Sequence, residues 1–354
     1  MAEADFEAAR ALVLAHGWGA NAYQILNPGF RHWFSRDGDA VAGYVRHGRF
    51  LVVAGAPVCS EERLDPVTRE LEIDIRQRQL RVCYFGVQSR FATRLWASPS
   101  HSMVGLGAQP VWNPAAWAAA VDEHPSLRAQ FRRARNKGVS VREWTGSADT
   151  AGRHDGLQRC LAEWLRTRRA PTMHFLVEPD TLGALEDRRL FVAERNGSVV
   201  GFLIASPVPR RNGWLIEQII RGEGAVNGTS ELLVDAAMRS LAGRHAAYVT
   251  LGLAPLSRHT HDGEVDTAMW LRLLFGWLRA HGRRFYNFEG LDAFKSKLRP
   301  ENWEPLYAVT DRARFSPEVL LAIAGAFTGG RPFAMTCKAL AWAIAEEART
   351  LAGR

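Results

Sequence analysis

The sequence predicts a mixed α/β fold (α+β) built as two successive units. Three observations carry this: apolar strand-like runs face each other across tight turns, amphipathic helices separate strands, and the same order recurs in both halves. The chain has 354 residues, 47% apolar and 23% charged, enough for more than one core. The expected units are residues 1–145 and 146–312, each a mixed, mostly antiparallel sheet flanked by helices, followed by a helical segment over 313–354.

The first unit opens with a helix-like segment from Phe6 to His16. Two β-rich runs, AVAGYVRHG and RFLVVAGAP, follow across a His-Gly turn and read as a hairpin. In SEERLDPVTRELEIDIRQRQ, the residues Leu64, Val67, Leu71 and Ile75 recur at three- and four-residue spacing, with Ser60, Glu61 and Glu62 as a helix start. The strand RVCYFGV, a short helix, the strand-like SMVGLGAQPVW and the charged helix PSLRAQFRRARNKGV complete the unit, and Gly138 is the expected C-cap.

The second unit repeats that logic. A helix from Gly156 to Arg168 precedes the strand RLFVAER, and Asn196-Gly197 turns the chain into SVVGFLIASPV. Asn-Gly between apolar runs is the strongest short hairpin signal. GWLIEQII is a further strand, followed by the loop RGEGAVNGTS, the helix ELLVDAAMRSLAGR, the strand AAYVTLGLA and the helix AMWLRLLFGWLRAHG.

Forty-five Lys and Arg against 37 Asp and Glu give a net charge of +8, a bias toward polyanionic partners such as RNA or anionic lipid headgroups. Cys59, Cys83, Cys160 and Cys337 form no C-x-x-C pair, which suits a reducing cytoplasm. MAEADFEAARALVLAHG carries acidic residues where a signal peptide needs basic ones. Apolar runs such as VLLAIAGAF are shorter than the roughly 20 residues that span a bilayer. The expected location is cytoplasmic, with peripheral contact at the inner face of the membrane.

An antiparallel meander, a glycine-bearing loop at a helix start and a further strand resemble the build of GNAT acyltransferases, where loop N–H groups and the helix dipole bind an anion. The usual Arg/Gln-x-x-Gly-x-Gly/Ala signature is not met: RGEGAVNG has Arg221 but places its glycines at 222, 224 and 228.

Four stretches carry a closer resemblance: LRVCYFGVQSRF, LRAQFRRARNKGVSVRE, LIEQIIRGEGAVNGTSELL with VTLGLAPLS, and FYNFEGLDAFKSKLRPENWEPLYAV. In their order, from about residue 80 to 309, the chain resembles the catalytic region of the phosphatidylglycerol lysyltransferase (DUF2156) family. The resemblance implies tandem GNAT-like domains and transfer of an amino acid from an aminoacyl-tRNA donor to an anionic lipid or other hydroxyl acceptor. No metal and no cofactor are expected.

An aminoacyl ester is already activated, so the reaction needs a positioned hydroxyl, removal of its proton and stabilisation of an oxyanion. Candidates for that work are Glu217, a carboxylate inside an apolar strand, Arg221 at the strand's end, Glu231 in the first turn of the next helix, and Lys295. Candidates for binding substrate are Asn227 and Gly228, which also suit a plain helix cap, with Asp235, Asn287, Lys297 and Arg299. Arg128, Arg132, Arg135 and Lys137 on one helix are candidates for the tRNA backbone, although a charged helix face is commonly just solvated. Glu163, Trp164 and Arg168 fall in a matching segment, with Trp164 equally suited to a core.

In NFEGLDAFKSKLRPENWEPLYAV, an irregular segment is expected: a turn at Gly290, Lys295 and Lys297 in an extended or one-turn stretch, and Arg299 held extended before Pro300. Trp303, Pro305 and Tyr307 return the chain to the sheet. A cleft between the halves, lined by Glu217, Arg221 and Lys295, is the expected reaction site. His259 and His261 in SRHTHDGE have no evident third ligand and read as surface residues. Phe333, Met335, Leu340, Trp342 and Ala343 would form one apolar face, for the protein's own core or a bilayer surface. Rival functions are a CoA-dependent N-acyltransferase of the same fold, which needs a well-formed pyrophosphate loop, and a non-enzymatic RNA-binding protein, which needs no reaction cleft.

Overall fold

The computed structural model describes residues 3–144, 151–167, 173–183, 185–257, 259, 269–271, 273–274 and 288–330. In the first half, helix α1 (Glu3–His16) leads to strands β1 (Arg31–Phe34), β2 (Val41–His47) and β3 (Phe50–Ala54). Helix α2 (Leu64–Gln77), β4 (Arg81–Gln88), α3 (Ser89–Trp96) and β5 (Ser102–Trp112) follow. The next elements are α4 (Trp117–Glu123), α5 (Pro125–Asn136) and β6 (Val139–Trp144). The second half supplies α6 (Ala151–Thr167), β7 (Arg189–Arg195), β8 (Ser198–Val208), β9 (Gly213–Arg221) and α7 (Thr229–Ala242). It continues with β10 (Tyr248–Thr250), β11 (Ala254–Pro255), α8 (Phe288–Lys297), β12 (Asn302–Thr310) and α9 (Pro317–Phe327).

These strands make one continuous sheet in the order β1-β2-β3-β4-β12-β5-β10-β9-β8-β7-β6, with β11 beside β5. Only β3 with β4 and β9 with β10 run parallel among the described pairs. Each parallel pair is bridged by one helix, α2 or α7, so the strand–helix–strand unit occurs once per half. The halves also exchange strands. β12 lies between β4 and β5, with Leu306 opposite both Gln88 and Gly107, while β6 lies at the far edge on β7.

The expected helix stripe is realised: Leu64, Val67, Leu71 and Ile75 of α2 are buried against β3, β4 and β12. Each such side chain contributes roughly 1.5–3 kcal/mol of burial. On the opposite face, α1 and α9 cover Val41, Val52 and Ala308. In the second half, α4, α5 and α7 share a core built on Trp112, Phe131, Leu203 and Leu233, and α6 covers Val192, Phe202 and Ile220 from the other side. Asn196 and Gly197 both take positive φ, as the hairpin turn requires, and Gly138 ends α5 at φ 80°.

The stretch Asn287–Val309 differs from expectation. Residues 288–297 are a helix and 302–310 a strand. Leu291, Phe294 and Leu298 recur at helical spacing, and Phe294 and Leu298 join the second-half core. That burial outweighs the cost of about 1 kcal/mol for Gly290 inside a helix. Lys295 and Lys297, two residues apart, therefore point about 200° apart around the helix axis. Arg299 is not extended but left-handed, at φ 54°, and terminates the helix. The predicted strand AAYVTLGLA is split at Gly252, φ 68°, into β10 and β11. Strands β1 and β6 lie outside the expected pattern. Asn287, Arg168, His261, most of the helix expected over AMWLRLLFGWLRAHG and the apolar face around Trp342 lie outside the described residues. Among the described residues, no helix is long and apolar enough to cross a membrane.

Candidate active site

β9 and β10 pair up to Leu215 and Thr250 and then diverge. Two residues further along each strand stand Glu217 and Gly252. The Gly252 N–H turns back to Thr250 Oγ1 at 3.1 Å, and a Cβ on Gly252 would lie 3.3 Å from Leu215. Carbonyl groups past the break have lost their strand partner and need donors. Lys295, on α8, supplies them: its Nζ donates to the carbonyl oxygens of Gly252 at 2.7 Å and Leu253 at 2.8 Å. The side chain is buried, at 3% exposure. Burial pushes its pKa down to about 7, with Asp292 opposing the shift.

Glu217 is buried across the opening. Its Oε1 accepts from Asn27 Nδ2 at 2.8 Å and Gln24 Nε2 at 3.2 Å, and its Oε2 from Ser206 and from Arg188 Nε at 3.2 Å. Burial alone would raise its pKa, but Arg188 and the hydrogen bonds from Ser206, Asn27 and Gln24 hold it below the usual carboxylate range. Asn27 and Gln24 come from the first half, so this ionised carboxylate ties the halves together. It would have to release protein donors before accepting a proton. The network extends outward: the Arg188 guanidinium sits 4.9 Å over the Tyr23 ring, and Tyr23 donates to Asp187, which also receives Arg10.

Arg221 is exposed at the end of β9, and Asn227 is exposed on the following loop. Gly228 is not exposed: at φ 97°, an added Cβ would lie 2.4 Å from the Gln130 carbonyl oxygen of α5. The Glu223 N–H donates to Glu163 Oε2 at 2.9 Å, and Ala225 and Thr229 N–H groups bond inside the loop. Helix α5 thus packs directly on Gly228, and a protein carboxylate takes the Glu223 N–H of the loop. Glu231, in the first turn of α7, accepts Lys297 Nζ at 2.8 Å. Asp235 is 1% exposed and accepts from Trp117 at 3.0 Å, Arg135 at 3.1 Å and Arg239 at 2.9 Å. It holds α4, α5 and α7 together.

The four candidate tRNA-binding residues separate accordingly. Arg135 is engaged with Asp235, and Arg128 hydrogen-bonds the Val121 and Asp122 carbonyls. Arg132 and Lys137 are exposed. Arg133, missed in the sequence, joins them; its only signal was adjacency to Arg132.

The structure brings Glu217 and Lys295 to the β9–β10 opening and leaves Arg221 exposed at the end of β9. A cavity of about 230 Å³ lies where the other parallel pair, β3 and β4, diverges at Gly55 and Gly86, with Trp18, Asn21, Arg90 and Arg210 in its wall. None of its wall comes from Glu217, Arg221 or Lys295. Those three residues lie instead at the β9–β10 pair.

A sheet in which each half diverges a parallel strand pair beside a bridging helix has the build of two GNAT-like units in tandem. The chain belongs to the phosphatidylglycerol lysyltransferase C-terminal family, whose sequence profile matches residues 10–310. It is 25% identical over 299 residues to phosphatidylglycerol lysyltransferase of Bacillus subtilis (strain 168), a match covering 82% of this chain and 33% of that protein. The chain thus spans about a third of that relative's length. The C-terminal DUF2156 domain of a protein from Agrobacterium fabrum superposes with a TM-score of 0.78 at 21% identity, covering 92% of this chain and 97% of that one. L-PGS from Bacillus licheniformis gives 0.76 at 20%, covering 90% and 95%. FemX gives 0.54 at 9%, covering 90% and 98%. Family membership and these superpositions agree on the fold.

Proposed function

We infer that this chain transfers an aminoacyl group from an aminoacyl-tRNA to a hydroxyl of an anionic membrane lipid such as phosphatidylglycerol, working at the cytoplasmic face of the membrane. In this reading residues 1–145 and 146–312 act as two acyltransferase-like units that share strands. Family membership supports the lipid acceptor. The observation that carries the donor is the filled loop at Gly228. With Gln130 against its glycine and Glu163 on its N–H, it favours a donor without a pyrophosphate, and so argues against CoA.

The chemistry is ester exchange. Lys295 stands where the sheet opens and holds the Gly252 and Leu253 carbonyl groups in place there. Glu217 fixes β9 at that opening to Gln24 and Asn27 of the first half. The exposed Arg132, Arg133 and Lys137, with Arg221, offer cations to the phosphates of a tRNA.

The test incubates the purified protein with radiolabelled aminoacyl-tRNAs and phosphatidylglycerol vesicles and follows label into the organic phase. Label is expected to move for at least one amino acid. Label retained on every tRNA, with acetyl-CoA consumed in the presence of an amine, would overturn the reading in favour of a CoA enzyme.

A further inference from the structure

The motif SRHTHDGE reads as surface in the sequence, yet His259 is held against α8 beside Lys295. Its ring stacks on Trp303, with centroids 4.0 Å apart and planes 9° from parallel. Its backbone N–H donates to Ser257 Oγ at 3.1 Å. Its Nε2 stands 3.4 Å from Ser296 Oγ and 4.0 Å from Asp292 Oδ2. Stacking on Trp303 and the contact of Nε2 with Ser296 hold the ring more firmly than solvation needs, since each fixes freedom that a surface side chain keeps.

Asp292 supplies a second observation. It precedes Lys295 by three residues on α8, and its Oδ1 is buried with no hydrogen-bond partner among the described residues. An orphaned buried acceptor costs about 1–3 kcal/mol and calls for a donor in the working state. Histidine and aspartate pairs in unliganded enzymes are commonly loose and tighten when substrate binds. The neighbours divide the work between them. Lys295 is turned inward onto two carbonyls. His259, on the loop after β11 and packed against α8, has 38% of its side chain exposed.

Resting on the lipid aminoacyltransferase reading, we propose that His259 is the general base of the transfer, oriented through Nε2 by Asp292 and Ser296. Its Nδ1 takes the proton of the acceptor hydroxyl while the acceptor oxygen forms a bond to the ester carbonyl carbon. Collapse of the tetrahedral intermediate breaks the bond from that carbon to the donor ribose oxygen. The imidazolium then returns its proton to that leaving oxygen, so one ester replaces another and the base is regenerated.

The experiment uses the full chain with a charged tRNA and phosphatidylglycerol vesicles. His259→Phe keeps a flat ring on Trp303 but has no proton acceptor; it is expected to slow single-turnover transfer by about 10²–10⁴-fold while melting like wild type. His259→Ala should be as slow and regain activity with added imidazole, and Asp292→Asn should slow transfer by about tenfold. A His259→Phe rate within about twofold of wild type would overturn the proposal. So would loss without imidazole rescue, or loss that follows a lowered melting temperature, since either makes the residue structural. Transfer absent from wild type itself would sink the parent reading along with this one, whereas active wild type with an active His259→Phe sinks this one alone.

Discussion

Lys295 closes the opening of the sheet by donating to the carbonyl oxygen of Gly252 at 2.7 Å. The hydrogen bond joins a helix that follows the crossover to the point where β10 leaves β9. It gives a main-chain acceptor the partner that strand pairing no longer provides.

That placement makes stability depend on pH. The Lys295 pKa is lowered from 10.5 to about 7 by burial. Below pH 7 both folded and unfolded chains hold the proton, and the folded state bears the full cost of the buried charge. Between about 7 and 10.5 the unfolded chain binds more protons, so unfolding free energy rises with pH. Relative to Lys295→Met, wild type should gain about 2 kcal/mol between pH 7 and 9 in urea titrations, and the variant should lose transfer while remaining folded. A pH-independent difference would mean the ammonium stays charged.

Gly228 makes a second prediction. At φ 97° its position is strained for any side chain, and a Cβ would lie 2.4 Å from the Gln130 oxygen. Gly228→Ala should cost about 2–4 kcal/mol in urea unfolding, because α5 must shift off α7. An unchanged midpoint would mean that α5 does not pack on this loop in solution.

Much of the fold was legible because local chemistry agreed with it. The stripe Leu64, Val67, Leu71 and Ile75, the Asn196-Gly197 turn and the Gly138 cap each signal one structure, and each forms it. The short strand β1 carries no alternating run, and its place is set by pairing with β2. In the site, residue types were readable but their partners were not. Glu217 stands out in an apolar strand, but Asn27, which grips it, is 190 residues away. Lys295 and Lys297 looked equivalent until helical geometry sent one into the sheet and the other to Glu231. The strand exchange that seats β12 between β4 and β5 leaves no local trace.

Asp235 offers a discriminating test of structure against binding. It is buried and holds donors from Trp117, Arg135 and Arg239. Asp235→Ala strands the Trp117 N–H in the core and removes the partner of two guanidinium groups, so it should destabilise by about 3–5 kcal/mol. Activity per folded molecule should be unchanged below the melting transition. A raised KM with an unchanged melt would make Asp235 a substrate-binding residue after all.

The exposed cations on α5 and at its C-terminal end predict a salt signature. If Arg132, Arg133 and Lys137 bind tRNA phosphates, replacing all three with alanine should weaken tRNA binding at every salt concentration. It should also flatten the dependence of log Kd on log salt by about 2–3, close to one for each phosphate no longer neutralised. Arg135→Ala, whose guanidinium already serves Asp235, should change that slope little while lowering stability. Filter binding of one charged tRNA from about 50 to 200 mM salt measures both. Equal slopes for the triple variant and wild type would assign these side chains to solvent and move the tRNA-binding surface elsewhere on the protein.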